Sequence, residues 1–161
     1  LDVSRGSVRE ALLILQRRHL IEIYPRRGAV VAELSPAMVK GLYELVVALF
    51  TLIVRRMAES WRQADLEPFL DNLASLQEAV DGQDIEAFYE GSFELLARAR
   101  RFVGNPYLDN TLSDLQPSVR RAYYLALQVS RRELEEAFGF LRGVMDAVML
   151  RQGDKAAELV E

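Results

Sequence analysis

The spacing of apolar residues near the start of the chain predicts an amphipathic helix. Ser4 is suited to cap this helix, because its hydroxyl can accept a hydrogen bond from an amide of the first turn. The helix should then run to about Arg18. Its buried side is expected to consist of apolar residues three or four positions apart, namely Val8, Ala11, Leu12 and Leu15.

The next two apolar runs predict a β-hairpin. Residues 21–24 alternate apolar and polar side chains, which is typical of a strand, and residues 29–32 form a second short apolar run. Between them lies a Pro-Arg-Arg-Gly turn, in which Gly28 can adopt a positive φ. A helix followed by such a hairpin is typical of a winged helix-turn-helix whose first helices are missing. We therefore expect residues upstream of Leu1 in the natural protein.

Helical periodicity dominates the rest of the chain. After a linker at 33–36, helices are predicted over 36–61, 65–81, 84–102 and 107–128, then from a capping box at Ser130 to about Gln152, and last from Asp154. Residues 45–54 are apolar nearly all round, so this part of the first long helix is expected to be central and buried.

These elements predict a mainly α fold class in two parts. Residues 1–33 should form the C-terminal part of a winged helix-turn-helix DNA-binding domain, a helix plus a β-hairpin wing. Residues 34–161 should form an all-α antiparallel helical bundle, with its last helix incomplete.

Composition removes several functional classes. The chain has 161 residues and no cysteine, which excludes disulfides and thiolate metal sites. His19 is its single histidine, so a His-rich zinc site or a His-dependent triad elsewhere is excluded as well. The longest nearly uncharged apolar stretch, 41–54, carries Glu44 and is shorter than the about 20 residues that span a bilayer.

Charge is divided unevenly between the two parts. Residues 1–33 hold six arginines and four acids, a net charge of +2, whereas the remainder holds 14 basic and 20 acidic residues, a net charge of −6. A basic end on an acidic body suits one domain that meets phosphates and one that does not.

Several motifs resemble those of GntR-superfamily regulators. The predicted recognition helix carries Leu1-x-Val3-Ser4-Arg5-x-x-Val8-Arg9-Glu10-Ala11-Leu12, and the hairpin carries Leu20-Ile21-Glu22-Ile23 and Arg27-Gly28-Ala29-Val30-Val31. The helical part is similar to the FadR-type (FCD) effector domain. The motifs that carry this similarity are Glu33-Leu34-Ser35-Pro36, Leu42-Tyr43-Glu44, Gly104-Asn105-Pro106-Tyr107-Leu108 and Gly153-Asp154-x-x-Ala157.

The resemblance implies a cytoplasmic homodimer that binds a palindromic operator in double-stranded DNA and responds to a small metabolite. It places four residues of the helix start and three of the wing at the DNA, namely Ser4, Arg5, Ser7, Arg9, Arg26, Arg27 and Gly28. Arginine can donate two hydrogen bonds to a guanine edge or bind a phosphate, and serine hydroxyls and wing amides suit phosphate oxygens. We interpret Arg17 and Arg18 as solvated surface residues.

The resemblance also locates a family metal site that this sequence departs from. The family's Asp-x-x-Phe-His pattern aligns with Glu90-x-x-Phe93-Glu94, and a later histidine aligns with Gly143. Glu90 and Glu94 are one turn apart and could both face the bundle interior, where they would be weak candidates for binding a hard cation. Because the family's histidine positions are not histidine here, we expect no metal cofactor.

A further departure predicts an apolar effector site. The arginine and glutamate that the family often carries in its first effector-domain helix are replaced by Val46 and Phe50. We therefore expect a hydrophobic or amphipathic metabolite, such as a fatty acyl or aromatic compound. The candidate effector-binding residues are Val46, Phe50, Glu90, Phe93, Glu94, Tyr123, Tyr124, Phe138 and Arg142; each apolar member is as well explained by a place in the core.

Two alternatives to a ligand-responsive DNA-binding regulator remain open from the sequence. The chain could be a small-molecule-binding or dimerisation module that no longer binds DNA, which Gly6 in the helix start permits and the paired wing arginines oppose. An enzyme is not expected. Carboxylate-bridged metal bundles place Glu-x-x-His on facing helices, and the sequence lacks that motif.

Overall fold

The computed structural model describes residues 3–127 and 131–161. Leu1 and Asp2 of the helix-start motif and the capping residue Ser130 lie outside the described residues. The helices are α1 (Arg5–Arg17), α2 (Pro36–Ser60), α3 (Gln63–Gly82), α4 (Ile85–Val103), α5 (Pro106–Leu127), α6 (Arg131–Met149) and α7 (Gly153–Val160); the strands are β1 (Ile21–Tyr24) and β2 (Gly28–Val31).

The predicted fold class is confirmed. A helix is followed by a two-stranded antiparallel hairpin, whose register pairs Ile21 with Val31 and Tyr24 with Gly28. All the described elements that come after it are helices, and their bounds differ from the predicted ones by at most three residues.

Local sequence signals set where the helices begin and end. The hydroxyl of Ser4 accepts a hydrogen bond from the Ser7 amide at the start of α1, and the Asp84 carboxylate accepts one from the Ala87 amide at the start of α4. Gly104 follows α4 with a φ of +63°, a left-handed conformation that glycine adopts without steric cost and that ends a helix.

The core of the bundle forms around α2. This helix packs against α4, α5, α6 and α7, while α3 packs against α4 and α6. Ile53 of α2, Phe88 of α4 and Val148 of α6 are fully buried, as are Ala156 and Ala157 of α7. The two alanines let α7 approach α2 closely, because small side chains reduce the distance between helix axes.

The expectation that residues 45–54 of α2 are central and buried holds only in part, since α2 is central but one side of it is exposed. Five of its residues are buried, but Leu45 and Leu52 are 45 % and 38 % exposed, because the other helices cover only part of its circumference. By length and apolar composition alone α2 would suffice to cross a bilayer, and 22 % of its most apolar 18-residue window is buried in the bundle.

The expected buried side of α1 is also open. No residue of α1 is buried, and Val8 and Leu15 are 47 % and 37 % exposed. The strand β1 packs beside α1, but the described elements leave its apolar side accessible to solvent. Helix α1 is therefore amphipathic, but none of the described elements covers its apolar side.

Candidate DNA-binding surface and effector cavity

The front of α1 is a polar surface stabilised by its own capping residue. The Ser4 hydroxyl lies 3.1 Å from the Ser7 amide and 2.9 Å from the Ser7 hydroxyl. Ser4, Arg5, Ser7 and Arg9 are all exposed. The Ser4 side chain thus orders the first turn, and the Arg5 and Arg9 side chains project from the first two turns towards solvent.

The tip of the hairpin presents a second group of polar residues. Arg26, Arg27 and Gly28 are exposed, and both Arg26 and Gly28 have positive φ values, of 63° and 86°. The Arg27 amide donates a 3.1 Å hydrogen bond to the carbonyl oxygen of Tyr24, which closes the turn. The prediction of a positive φ at Gly28 is confirmed.

The guanidinium groups at these two places have no acidic partner in the described part of the chain. Within residues 3–127 and 131–161, none of the ion pairs involves Arg5, Arg9, Arg26 or Arg27. Exposed arginines without a carboxylate partner retain all their donors for phosphate oxygens or base edges. The arrangement therefore suits a ligand with many phosphate groups and with base edges accessible in a groove, as in double-stranded DNA.

Three contacts attach this N-terminal part to α5. The Ser118 hydroxyl donates a 3.1 Å hydrogen bond to the Arg18 carbonyl oxygen, and Arg121 Nη1 donates one of 2.6 Å to the Ala32 carbonyl oxygen. The Arg18 guanidinium lies 3.7 Å from the Asp114 carboxylate. Arg18 is consequently not the freely solvated residue that the sequence suggested, since its helix end rests on α5.

A cavity of about 280 Å³ lies inside the bundle. Helices α2, α4, α5 and α6 supply most of its wall, and one residue each comes from α3 and α7. Tyr43 and Phe140 are the exposed residues among the described lining, so they mark where the cavity meets solvent. The volume is close to the lower end of the range for small-molecule sites in proteins.

Three hydroxyl groups interrupt the otherwise apolar wall, those of Tyr43, Ser92 and Tyr123. The Tyr123 hydroxyl donates a 3.4 Å hydrogen bond to Ser92 Oγ, which in turn donates one of 2.8 Å to the Phe88 carbonyl oxygen. Burial raises the pKa of Tyr123, the bond to Ser92 partly opposes this, and the nearby Tyr43 phenol adds to the rise. All three groups are therefore neutral near pH 7.

The predicted effector residues divide between the cavity and the rest of the bundle. Val46, Phe50, Phe93 and Tyr123 line the cavity. Tyr124 lies outside it, 45 % exposed, and packs edge-on against the Tyr89 ring at 5.4 Å. Phe138 is a buried core residue and Arg142 is exposed beside Asp146, so neither belongs to the described lining. A role in effector binding stays a prediction for the four that line the cavity.

The expected inward orientation of Glu90 and Glu94 was wrong. Both side chains are exposed, because each carboxylate forms an ion pair on the surface of α4. Arg120 donates two hydrogen bonds to Glu90, of 2.7 and 3.0 Å, and Arg98 pairs with Glu94. The Arg120 guanidinium also lies 4.6 Å from the centroid of the Phe93 ring, on a residue that lines the cavity.

These residues do not fit the divalent metal that the FCD resemblance implies. Both carboxylates are neutralised by arginines, and Gly143 supplies no ligand. In the part of the chain that the structure describes, no three His, Asp or Glu side chains cluster as a metal site would require.

Among the hydroxyl-bearing residues of the cavity wall, sequence reasoning missed Tyr43 and Ser92. Tyr43 belongs to the Leu42-Tyr43-Glu44 motif of α2, so a signal for it was available. Ser92 stands next to Phe93 in the chain, but a buried serine cannot be distinguished from an exposed one by sequence pattern. Only the packing of α4 against α5 places its hydroxyl beside Tyr123.

Comparison with known proteins places the chain in a family. The model of the FCD domain matches residues 41–161. The chain is 27 % identical over 157 residues to the HTH-type transcriptional repressor RspR of Escherichia coli K12, covering 95 % of this chain and 67 % of that protein. It is 38 % identical over 58 residues to an HTH-type transcriptional regulator in the TAR-I ttuE-ttuC' intergenic region of Agrobacterium vitis, covering 36 % and 34 %.

Solved structures share the fold. E. coli McbR/YncC superposes with a TM-score of 0.84 at 19 % sequence identity, covering 99 % of this chain and 80 % of that chain. A GntR-family transcriptional regulator from Pseudomonas syringae pv. tomato DC3000 gives a TM-score of 0.57 at 21 % identity, covering 98 % and 66 %. The motifs, the helical body and the family match agree, and the chain therefore belongs to the FCD-domain family as a GntR-type transcriptional regulator.

Proposed function

We propose that this regulator binds a palindromic operator as a homodimer and that a metabolite in the helical domain alters its affinity for DNA. Residues 1–33 would serve as part of the DNA-binding domain and residues 34–161 as the effector-binding and dimerisation domain. It acts in the cytoplasm, as a binding protein and not as an enzyme. The observation that carries the proposal is that one helix, α5, contacts both the N-terminal part and the cavity.

The contacts of α5 lie on neighbouring sides of the helix. Ser118 and Arg121 bond to the backbone of the N-terminal part, whereas Val119 and Tyr123 line the cavity. Successive residues of an α-helix are rotated by about 100°, so these two sets form adjacent stripes on one stiff element. A ligand that pushes Val119 and Tyr123 outwards would also move Ser118 and Arg121. The ends of α1 and β2, which these two residues contact, would then move as well.

Pro117 makes α5 easier to bend at this level. A proline inside a helix has no amide hydrogen to donate to the residue four positions earlier, and its ring crowds that turn. The weakened turn lies between Asp114 and Ser118, both of which contact Arg18. Bending of α5 at Pro117 would therefore act directly on the attachment of the N-terminal part.

An exposed stripe on α2 supports the homodimer. Its residues recur at intervals of three and four along four turns and are uncharged, namely Met38, Gly41, Leu45, Ala48 and Leu52. A helix face of this kind can pack against the same face of a second copy about a two-fold axis, since an isologous contact needs only one self-complementary patch. A two-fold protein also matches a palindromic operator.

The test is binding of the full-length protein to DNA from upstream of its own operon, by gel shift or fluorescence anisotropy. Affinity should fall steeply with salt, because each phosphate contact releases counterions. Arg9→Ala should weaken binding by about 1–3 kcal/mol if the side chain contacts a base bidentately. Arg17→Ala, the same change at the far end of α1, serves as the control and should have little effect.

Absence of any shift at low salt would contradict the proposal. That result would favour the alternative, a small-molecule-binding or dimerisation module that no longer binds DNA. An equal loss of affinity in the Arg9 and Arg17 variants would contradict a specific role of the helix start in DNA binding. It would show that any arginine of α1 contributes only through its positive charge.

A further inference from the structure

We propose that the cavity binds an uncharged apolar molecule with a single hydroxyl group, which hydrogen-bonds to Tyr123 beside Ser92 and Tyr43. This inference rests on the proposed function in one respect, that the cavity is the effector site. It narrows the expected ligand from hydrophobic or amphipathic molecules to neutral ones. Carboxylates such as fatty acids are thereby excluded.

The hydroxyl groups of the wall leave an acceptor on Tyr123 and both functions of Tyr43 free for a ligand. Ser92 Oγ donates to the Phe88 carbonyl oxygen and accepts from Tyr123, so its donor is used. The Tyr123 oxygen retains a free acceptor site, and the Tyr43 hydroxyl has no hydrogen-bond partner among the described residues. A ligand hydroxyl can donate to Tyr123 and accept from Tyr43, which occupies the free acceptor of Tyr123 and gives the Tyr43 hydroxyl at the cavity mouth a partner.

No cation of the described chain faces this cavity. Arg100 lines a small adjoining pocket of about 30 Å³, and its guanidinium lies 3.5 Å from the Asp109 carboxylate. Arg120 packs on the Phe93 ring but is not part of the lining, and it forms its two hydrogen bonds with Glu90. A ligand carboxylate would therefore be buried without a counter-charge, which is far more costly than burying a neutral hydroxyl.

The volume is on the scale of a small ligand. At about 30 Å³ for each non-hydrogen group, the volume that a water molecule occupies in the liquid, the cavity holds about nine such groups. A saturated alcohol of eight carbons has this size. The apolar lining covers its chain, while the polar end lies against α4 and α5, where Ser92 and Tyr123 meet.

The test is calorimetric titration of the protein at pH 7.5 with 1-octanol, octanoate and octylammonium. These probes share an eight-carbon chain and differ in the charge of one end. We expect 1-octanol to bind at least tenfold more tightly than either ion. Val47→Phe, which fills the cavity from α2, should abolish the binding of 1-octanol and so locate it.

A matched pair of variants tests the polar contact. Tyr123→Phe keeps the ring and removes the hydroxyl, and it should weaken 1-octanol binding about two- to tenfold. Tyr124→Phe makes the same change one residue later, outside the cavity, and should leave the affinity unchanged. Circular dichroism melting of both variants checks that they are folded.

The outcomes separate this inference from the proposed function. Octanoate binding as tight as 1-octanol would overturn the neutral class while leaving the cavity as a ligand site. Equal effects of the two tyrosine variants would overturn the contact with Tyr123. Failure of all three probes to bind would overturn the inference altogether, whereas DNA recognition is judged by the operator shift, which needs no ligand.

Discussion

The guanidinium of Arg121 donates a 2.6 Å hydrogen bond to the backbone carbonyl oxygen of Ala32. Ala32 is buried at the end of the wing hairpin, and its own amide donates to the Leu20 carbonyl oxygen. The charged side chain of Arg121 on α5 is thus hydrogen-bonded to the backbone at the open end of the hairpin. The N-terminal part and the helical domain are coupled through this bond and through Ser118.

Arg121→Met should loosen this attachment. The change keeps most of the side-chain length but removes a charge-assisted hydrogen bond, which is worth about 1.5–3 kcal/mol. We expect faster hydrogen exchange of the amides in residues 20–32, measured by mass spectrometry. Arg132→Met, which removes an exposed pair with Glu136 on α6, should leave that exchange unchanged; protection of residues 20–32 at the wild-type level in Arg121→Met would contradict the coupling.

Leu45→Glu should convert a dimer into a monomer. The substitution places a carboxylate in the middle of the exposed stripe of α2, where the two-fold contact would bury it opposite a copy of itself. Sedimentation velocity should show the smaller species. Leu70→Glu on α3 is the control, since Leu70 is as exposed as Leu45; a shift in both variants, or in neither, would argue against a dimer interface on α2.

Arg151→Ala should lower the free energy of unfolding by about 1–3 kcal/mol. Arg151 donates hydrogen bonds to the carbonyl oxygens of Ala58, Glu59 and Trp61, which the end of α2 leaves without helical partners, and it packs 4.4 Å from the centroid of the Trp61 ring. Urea unfolding followed by circular dichroism measures the loss. Arg142→Ala on α6 removes only an exposed arginine near Asp146 and should cost much less.

Tyr123 should make stability depend on pH in the alkaline range. Burial raises the pKa of its phenol above the ordinary value of 10.0, so the folded state holds the proton more tightly than the unfolded chain does. Its contribution is fully present below pH 10 and is lost as the pH rises through the folded-state pKa.

The difference between two unfolding curves isolates this contribution. Wild-type protein should lose more stability above pH 10 than Tyr123→Phe does. Tyr107→Phe changes a phenol that is 84 % exposed and should follow the wild-type curve. Parallel curves for wild type and Tyr123→Phe would show that the phenol is not buried in the folded protein.

Removal of divalent metal ions by a chelator should leave the melting temperature of the protein unchanged. Glu90 and Glu94 are paired with Arg120 and Arg98, and the described residues hold no group of three metal-binding side chains that could bind a divalent ion. Thermal melting with EDTA or with added Mn²⁺ should give one Tm. A rise in Tm with Mn²⁺ that Glu90→Gln removes would instead place a metal ion at the surface of α4.

Short-range patterns accounted for most of the secondary structure. The cap at Ser4, the alternation of residues 21–24 and the glycine at 104 act within a few residues, so their effects can be predicted without knowledge of the fold. The bounds of β1 were predicted without error and those of α2 to within one residue. The motifs that resemble the GntR superfamily were equally local.

The direction of each side chain could not be predicted in the same way. Leu45 and Ile53 belong to one apolar run, yet one is exposed and the other fully buried, because only the positions of neighbouring helices decide which side of α2 is covered. The same holds for Glu90, because helical periodicity allows an inward carboxylate, whereas Arg120 of α5 pairs with it on the surface.

Local sequence therefore specified the order of elements, their ends and the polar residues at the start of α1 and in the wing. Tertiary packing determined the site in the helical domain, where Ser92 meets Tyr123 and where none of the described arginines lines the cavity. The physical reason is the separation along the sequence of the residues that interact. Capping and periodicity act over one turn, whereas burial and charge pairing depend on residues that lie 30 to 100 positions apart, such as Glu90 with Arg120 and Arg18 with Ser118.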